Sequence, residues 1–173
     1  RIIHLAAVSF VAHGHVEDFY LNNIVATRNL LDSVSRCRPD IGHIILASSA
    51  NVYGNSRAGQ MDESTSPDPV NDYGISKLAM EHVAGMFSRQ LPITIARPFN
   101  YTGVGQSTSM LIPKIVEHVK NRSEHIELGN IDVARDFSDV RFVADVYARM
   151  ADCPATIGQT LNICSGTLHS LRE

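Results

Sequence analysis

The chain has 173 residues, of which 44% are hydrophobic and 19% charged, and this composition predicts one globular domain with a sizeable core. A formal net charge of -3, without any cluster of Lys and Arg, argues against nucleic acid as a partner. The apolar runs are too short to span a membrane and the first residues lack a signal-peptide layout, so we expect a cytoplasmic protein that does not bind membranes.

Strand-like and helix-like segments alternate in the first part of the chain. The predicted elements are a strand over 2–7, a long helix within 16–36, a strand over 43–49, a helix from about 72 to 89, and a strand over 92–98. The strands are nearly continuous apolar runs, as expected of a parallel sheet covered on both faces. This order predicts a Rossmann-like, doubly wound α/β sheet.

The alternation is less regular beyond residue 98. We predict a loop to about 108, a helix over 109–121, a short strand near 126–128, a helix over 139–152 and a strand over 160–164. Ser138 or Asp139 would serve as the N-cap of the helix at 139, so we assign no chemistry to Asp136 or Asp139. This part of the chain is expected to form a smaller cap on the sheet.

Cysteine and histidine patterns do not predict a metal site. Cys37, Cys153 and Cys164 are odd in number and widely spaced, which favours reduced thiols over disulfides or metal ligands. His13 and His15 are too small a set for a metal and are expected in a loop. The sequence therefore predicts no metal ligands.

Residues suited to ligand binding follow three of the predicted strands. In open parallel sheets, ligands bind at the carboxyl ends of the strands. Ala6 and Ala7 follow the first strand, where a flat cofactor could lie, and the hydroxyls of Ser48 and Ser49 follow the second, where a carbonyl oxygen could be held. The third strand ends in residues 97–100, where polar groups could hold a substrate tail. Each pattern alone is common at strand ends, so none identifies a site by itself.

Tyr73 and Lys77 lie four residues apart in a predicted helix, so both project from one face. A tyrosine with a pKa of about 10 is a poor acid or base at neutral pH, and a cation within about 4 to 6 Å lowers that pKa. We therefore expect Lys77 to make Tyr73 a usable proton shuttle. A serine hydroxyl from the neighbouring strand end would orient the substrate oxygen during a hydride transfer at carbon.

Several motifs spread along the chain carry a family resemblance. They are HLAA at 4–7, Asn23 before IVATRNLL, SSANVYG at 48–54, YGISK at 73–77, RPFNYTGVGQ at 97–106, GNIDVARDFSDV at 129–140 and NICSG at 162–166. Together they resemble the extended short-chain dehydrogenase/reductases of the NAD-dependent epimerase/dehydratase family, which act on nucleotide sugars. Within it, the chain most resembles GDP-6-deoxy-4-keto-D-mannose reductases, then GDP-mannose 4,6-dehydratases, and less the UDP-sugar 4-epimerases.

The resemblance implies a set of catalytic residues and a cofactor. Ser49 matches the catalytic hydroxyl, Tyr73 the acid/base, and Lys77 the lysine that also hydrogen-bonds the nicotinamide ribose. Asn23 matches a residue that supports the proton relay from the adjoining helix. The implied cofactor is NAD or NADP.

The resemblance also implies binding residues. The cofactor would contact Leu5, Ala6, Ala7, Tyr73, Lys77, Pro98 and Phe99. The substrate, a nucleotide sugar, would contact Ser9, Asn100, Leu111, Lys114 and Arg135. Arg135 would face the diphosphate, where a planar cation with several donors has an advantage. By spacing alone, core packing of Leu111 and solvated charges at Lys114 and Arg135 are the favoured alternatives.

The family's glycine-rich loop is not found in this sequence. Gly103 and Gly105 lack the third glycine of G-x-G-x-x-G and do not represent that loop. We therefore expect a fold that is truncated at its N-terminal part. Residues 1–108 would form the second half of a Rossmann-type NAD(P)-binding domain, and residues 109–173 a small substrate-binding portion interleaved with the last strands.

The residues after Ser49 distinguish between reactions in the family. Dehydratases carry an acidic residue where this chain has Asn51, and some also where it has Ala50, because removal of water across C5 and C6 needs a base and an acid. Asn51 and Ala50 thus favour reduction of the C4 keto group of a GDP-4-keto-6-deoxy-hexose. The alternatives are a GDP-mannose 4,6-dehydratase, a nucleotide-sugar 4-epimerase and, in a different class, a non-catalytic Rossmann-like binding protein.

The family also implies a homodimer that pairs through the helices at 16–36 and 72–89.

Overall fold

Four parallel strands form the main sheet. The computed structural model describes residues 1–9, 14–38, 40–54 and 61–172. In that part of the chain, the strands β1 (Ile2–His4), β2 (Ile44–Ala47), β3 (Ile93–Pro98) and β6 (Thr160–Ile163) pair in the order β1-β2-β3-β6. A smaller sheet contains β4 (Asn100–Thr102), β5 (Ala134–Asp139) and β7 (Leu168–Ser170), with β5 parallel to β4 and antiparallel to β7.

Helices connect the strands of the main sheet. Helix α1 (Val16–Phe19) continues through a π-helical segment (Tyr20–Val25) into α2 (Ala26–Cys37), and these residues separate β1 from β2. Helix α3 (Asp72–Phe87) separates β2 from β3. Helices α4 (Leu111–Lys120) and α5 (Val140–Asp152) follow in the second part of the chain. The predicted helices and the doubly wound α/β fold are confirmed.

The two faces of the main sheet carry separate apolar cores. On one face, Ile44 and Leu46 of β2 belong to a cluster with Leu31 of α2 and Met80 of α3. On the other face, Ile45 of β2 packs in a second cluster with residues of α5. Because successive residues of a strand point to opposite faces, a continuous apolar run such as β2 is needed to fill both cores.

The short strand predicted near 126–128 does not form, and that prediction is wrong. These residues have irregular backbone, and the Lys114 ammonium of α4 donates a hydrogen bond to the carbonyl oxygen of Glu127. A strand forms instead at β5, which the apolar pattern missed because its inward-facing residues are the polar Asp136 and Ser138. β4 and β7 were also missed, since three-residue strands give too short a pattern for detection.

Local interactions account for several polar residues outside any site. Asp139 caps α5 by accepting a hydrogen bond from the backbone N–H of Arg141 at 2.7 Å, as predicted. The rings of His4 and His43 lie 3.0 and 2.8 Å from the hydroxyls of Thr27 and Thr94, which gives both histidines structural roles.

The remaining residues considered for metal or disulfide chemistry are accounted for as follows. All three cysteines are free thiols. His13, one of the two histidines predicted to lie in a loop, is outside the described residues. Within the described ranges, no group of three His, Cys, Asp or Glu side chains could hold a metal ion. Nor does any helix there have the length and apolar character needed to cross a membrane.

Candidate active site

A cavity of about 730 Å³ lies at the carboxyl ends of β1, β2 and β3. The residues after β1 that line it are Leu5, Ala7 and Ser9, and those after β3 are Pro98, Phe99 and Asn100. Ser49, Tyr73, Lys77 and Arg135 complete the set of predicted site residues in its wall. The strand ends and helix α3 therefore bring most of the predicted site into one cavity.

Ser49 is held at the start of a 3₁₀ turn (Ala50–Tyr53) that follows β2. Its hydroxyl oxygen accepts hydrogen bonds from the backbone N–H of Asn51 at 3.2 Å and from the Asn51 side-chain amide at 3.1 Å. A serine hydroxyl has two acceptor sites and one O–H donor, so these contacts leave the hydrogen of Ser49 to be donated to Tyr73, with which Ser49 is also hydrogen-bonded. Ser49 can therefore act as a hydrogen-bond donor inside the cavity.

Helix α3 approaches the Ser49 turn closely because residue 74 is a glycine. Asn71 caps the helix by accepting a hydrogen bond from the N–H of Gly74 at 2.8 Å. A Cβ atom on Gly74 would lie 2.7 Å from the carbonyl oxygen of Asn51 and 3.0 Å from the Cβ of Pro69. The absence of a side chain at Gly74 thus lets Tyr73 reach the same cavity as Ser49.

Lys77 and Tyr73 share one face of α3, but the pKa of Tyr73 is raised and not lowered. The Lys77 ammonium lies 5.9 Å from the centre of the Tyr73 ring and donates a 2.7 Å hydrogen bond to the carbonyl oxygen of Ala47. Burial raises the pKa of Tyr73, and hydrogen bonding with the Ser49 hydroxyl lowers it only in part. The expectation of a lowered Tyr73 pKa is wrong, because removal of the phenol from water outweighs the cation.

Burial also shifts the pKa of Lys77. Its side chain is 4% exposed, and burial lowers the pKa of Lys77 to about 8, while the charge of Glu81 raises it in part. At neutral pH the ammonium form still predominates. The cavity therefore combines a protonated phenol with a buried cation, an arrangement suited to giving a proton rather than taking one.

Asn23 lies behind the cavity and does not line it. Its side-chain amide donates to Val8 O and to the Ser76 hydroxyl, both at 2.9 Å, and its carbonyl oxygen accepts from Val8 N at 2.9 Å. Asn23 sits in the π-helical segment, a distortion that is frequent at functional sites. In this structure it ties the segment after β1 to helix α3, and its predicted part in a proton relay stays a prediction.

The remaining predicted residues surround the cavity in different ways. Ala6 is exposed after β1 and is not in the cavity wall, and Lys114 bonds Glu127 instead. Leu111 lines a neighbouring cavity of about 350 Å³, to which Asn100 and Arg135 also contribute. Asn100 and Arg135 therefore line both the cavity that contains Ser49 and Tyr73 and the smaller cavity beside α4.

A buried polar network beneath the cavity was missed by sequence reasoning. The Arg97 guanidinium donates to Glu81 at 2.9 and 2.6 Å and to the Tyr53 hydroxyl at 2.9 Å. Tyr53 in turn donates to Asn162 at 2.8 Å, and the Ser48 hydroxyl donates to Glu81. The network links the end of β2 with β3, β6 and α3 beneath the cavity that contains Ser49 and Tyr73. The spacing of Lys77 and Glu81 on α3 was the available signal, since residues four apart on a helix are neighbours.

The profile of the NAD dependent epimerase/dehydratase family matches residues 1–164. The chain is 37% identical over 172 residues to the GDP-6-deoxy-D-talose 4-dehydrogenase of Aggregatibacter actinomycetemcomitans, covering 99% of this chain and 58% of the relative. It is 32% identical over 183 residues to the GDP-6-deoxy-D-mannose reductase of Pseudomonas aeruginosa, covering 99% and 60%. The chain therefore spans less than two thirds of the length of these relatives.

Solved structures with the same fold agree with this match. A putative epimerase from Burkholderia cenocepacia J2315 superimposes with a TM-score of 0.91 at 49% identity, over 99% of this chain and 55% of the other. The structure of RMD from Pseudomonas aeruginosa, complexed with NADPH, superimposes with a TM-score of 0.88 at 32% identity, over 98% and 61%.

Proposed function

Because the chain belongs to the NAD-dependent epimerase/dehydratase family, we propose that the whole protein reduces the C4 keto group of a GDP-4-keto-6-deoxy-hexose with NADH or NADPH. The names of the two curated relatives both contain a GDP-6-deoxy sugar, which supports this substrate class. The observation that carries the proposal is the meeting of Ser49, Tyr73 and Lys77 in one cavity, where the Ser49 hydroxyl bonds a Tyr73 phenol that burial keeps protonated.

The residues of this chain act on the sugar oxygen. The bound cofactor would supply a hydride to C4. Ser49 donates its hydroxyl hydrogen to the C4 oxygen and so holds the carbonyl in place. Tyr73, whose pKa is raised by burial, donates its proton to the same oxygen as negative charge develops there. The buried Lys77 ammonium stabilises the phenolate that remains, because an opposite charge in a desolvated site interacts strongly.

The chemistry of the cavity wall fits a nicotinamide cofactor. The Lys77 ammonium has three N–H donors, and Ala47 O accepts from one, so others can bind ribose hydroxyls. Leu5, Pro98 and Phe99 provide an apolar surface for a flat ring. These residues would hold the nicotinamide end of the dinucleotide.

The position after Ser49 favours reduction over dehydration. Asn51 uses both its backbone N–H and its side-chain amide to hold Ser49, and an amide does not exchange a proton near neutral pH. Ala50 has no polar side-chain group. Without an acid or base at these positions, the hydride transfer at C4 is the reaction that the site can support.

The test is nucleotide-sugar-dependent oxidation of NADPH or NADH by the whole protein. We expect GDP-4-keto-6-deoxy-mannose to be reduced and GDP-mannose to be left undehydrated, with Tyr73→Phe as the inactive control. If a 4-keto-6-deoxy product forms from GDP-mannose without an external reductant, the dehydratase alternative is correct and this proposal is wrong. If UDP-glucose is converted to UDP-galactose without net oxidation of the cofactor, the epimerase alternative is correct.

We further propose that the whole protein forms a homodimer through the helices at 16–36 and 72–89. Large apolar side chains are exposed on them, namely Leu21, Val25, Ile75 and Met86. Exposed apolar groups on adjacent helices favour association with another surface of the same kind. Light scattering should report a dimer, and a Leu21→Glu variant should shift the mass toward that of a monomer. A wild-type mass of one chain would contradict the proposal.

A further inference from the structure

The hydroxyl of Tyr147 is buried and has no hydrogen-bond partner among the described residues. Within the described ranges, the buried side-chain polar atoms that lack a partner are this hydroxyl and the Ser138 hydroxyl. Tyr147 is 7% exposed. An unpaired buried hydroxyl destabilises the folded state, so such groups are rare unless a ligand or an ordered water satisfies them.

Tyr147 and Ser138 differ in their position relative to the cavity. Tyr147 lies on α5 and lines the cavity that contains Ser49 and Tyr73, whereas Ser138 is not in the cavity wall. Burial raises the pKa of Tyr147, with the phenols of Tyr101 and Tyr73 adding to the effect. The Tyr147 hydroxyl is therefore a protonated donor close to the reacting end of the cavity.

The wall formed by α5 is otherwise apolar. Its other lining residues are Val140, Val143 and Ala144. Tyr73 and Lys77 of α3 contribute polar groups to the same cavity. A flat group that lies between α5 and α3 would thus meet aliphatic side chains along one face and a single hydroxyl donor at Tyr147. Such a wall suits a flat ring with one amide substituent.

We propose that the Tyr147 hydroxyl donates a hydrogen bond to the carboxamide oxygen of the nicotinamide ring of the bound dinucleotide. The inference rests on the cofactor part of the proposed function and not on the reductase reaction. It makes Tyr147 a binding residue that the motifs did not indicate. A hydroxyl or carbonyl oxygen of the sugar offers the same acceptor chemistry, and the ligands used in the test distinguish the two sources.

The test measures ligand affinity of Tyr147→Phe in the whole protein by calorimetry. The probes are NADPH or NADH, whichever the wild type binds more tightly, the matching 2′-phospho-ADP-ribose or ADP-ribose, which lacks nicotinamide, and GDP-mannose as the GDP-sugar. Loss of one neutral hydrogen bond should weaken dinucleotide binding by about 3- to 10-fold. Binding of the ligand without nicotinamide should not change.

Thermal unfolding without ligand separates binding from structure. Tyr147→Phe should not lower the Tm, because its hydroxyl forms no hydrogen bond with the part of the chain that the structure describes. The matched control is Tyr53→Phe, which removes a buried hydroxyl that bonds both Arg97 and Asn162 and should lower the Tm.

The affinity test of Tyr147→Phe and the activity test of the proposed reaction can fail independently of each other. Unchanged dinucleotide affinity in Tyr147→Phe, or an equal loss for both probes, would overturn the inference. If affinity falls only for a GDP-sugar, the acceptor is on the sugar and the assignment to nicotinamide is wrong. A wild type that binds dinucleotide but reduces no GDP-4-keto sugar would refute the reductase proposal and leave the affinity comparison decisive for Tyr147.

Discussion

The guanidinium of Arg97 and the carboxylate of Glu81 form a two-point ion pair beneath the candidate active site, with distances of 2.9 and 2.6 Å. Their side chains are only 7% and 9% exposed, so the pair is largely removed from water. Glu81 is also one helical turn from Lys77, and its charge raises the pKa of that buried ammonium. The pair therefore connects the stability of the sheet to the electrostatics of the site.

Glu81→Gln should destabilise the protein strongly, because it leaves the Arg97 charge buried without its counterion. Breaking a buried ion pair in this way costs about 3 to 5 kcal/mol. Urea denaturation of the whole protein measures the change in the free energy of unfolding. Arg149→Gln is the matched control, since Arg149 pairs with Asp145 on α5 at the surface and such pairs contribute less than about 1 kcal/mol. Equal effects of the two substitutions would contradict the assigned role of the buried pair.

Tyr73→Phe should strongly reduce turnover without changing the fold. Loss of the proton donor should reduce kcat by about 100-fold or more. The dinucleotide dissociation constant and the circular dichroism spectrum should stay close to those of the wild type, since the ring is retained. Steady-state kinetics with a GDP-4-keto-6-deoxy sugar checks the rate, and near-normal turnover would remove Tyr73 from the mechanism.

The stability of the protein should gain a pH dependence from Lys77. Burial lowers the pKa of Lys77 from its ordinary value of 10.5 to about 8. Between these values the unfolded chain holds the Lys77 proton and the folded protein does not, so the free energy of unfolding rises with pH through this window. A difference of this size corresponds to about 3 kcal/mol.

Lys77→Met should remove this rise. Urea denaturation at pH values across the window compares the variant with the wild type. Lys120→Met, which removes an exposed ammonium at the end of α4, is the control and should keep the wild-type slope. A Lys77→Met slope that equals the wild-type slope would show that Lys77 is not desolvated.

Two glycines of α3 should respond in opposite directions to alanine. A Cβ at Gly74 would contact Asn51 O and Pro69 Cβ, so Gly74→Ala should cost about 1 to 3 kcal/mol and lower turnover by moving Tyr73 away from Ser49. A Cβ at Gly85 meets nothing within 4 Å, so Gly85→Ala should stabilise the helix by up to about 1 kcal/mol. Chemical denaturation and kinetics check both, and a neutral Gly74→Ala would refute the close approach.

Sequence reasoning succeeded where an element depends on its own local pattern and failed where it depends on contacts between distant residues. The helices and β2 were predicted because the apolar period of a segment reflects which of its faces is buried, as in Leu31 of α2 and Ile44 of β2. The strand at 126–128 was predicted wrongly, since an apolar run of that length does not specify a partner strand. β5 was missed because its inward residues, Asp136 and Ser138, are polar and its pairing partners are distant in the chain.

The amino-acid sequence by itself determined the family, the parallel α/β fold and the pairing of Tyr73 with Lys77 on one helix face, because motifs and helical spacing are properties of neighbouring residues. Only the tertiary structure decided the state of those groups. Burial raises the pKa of Tyr73 and lowers that of Lys77, and burial depends on the packing of α3 against strand ends far away in the chain. The Arg97–Glu81 pair and the Tyr147 hydroxyl, which lacks a partner among the described residues, were likewise found only in the tertiary structure. A hydrogen-bond partner, or its absence, is defined only when distant segments meet.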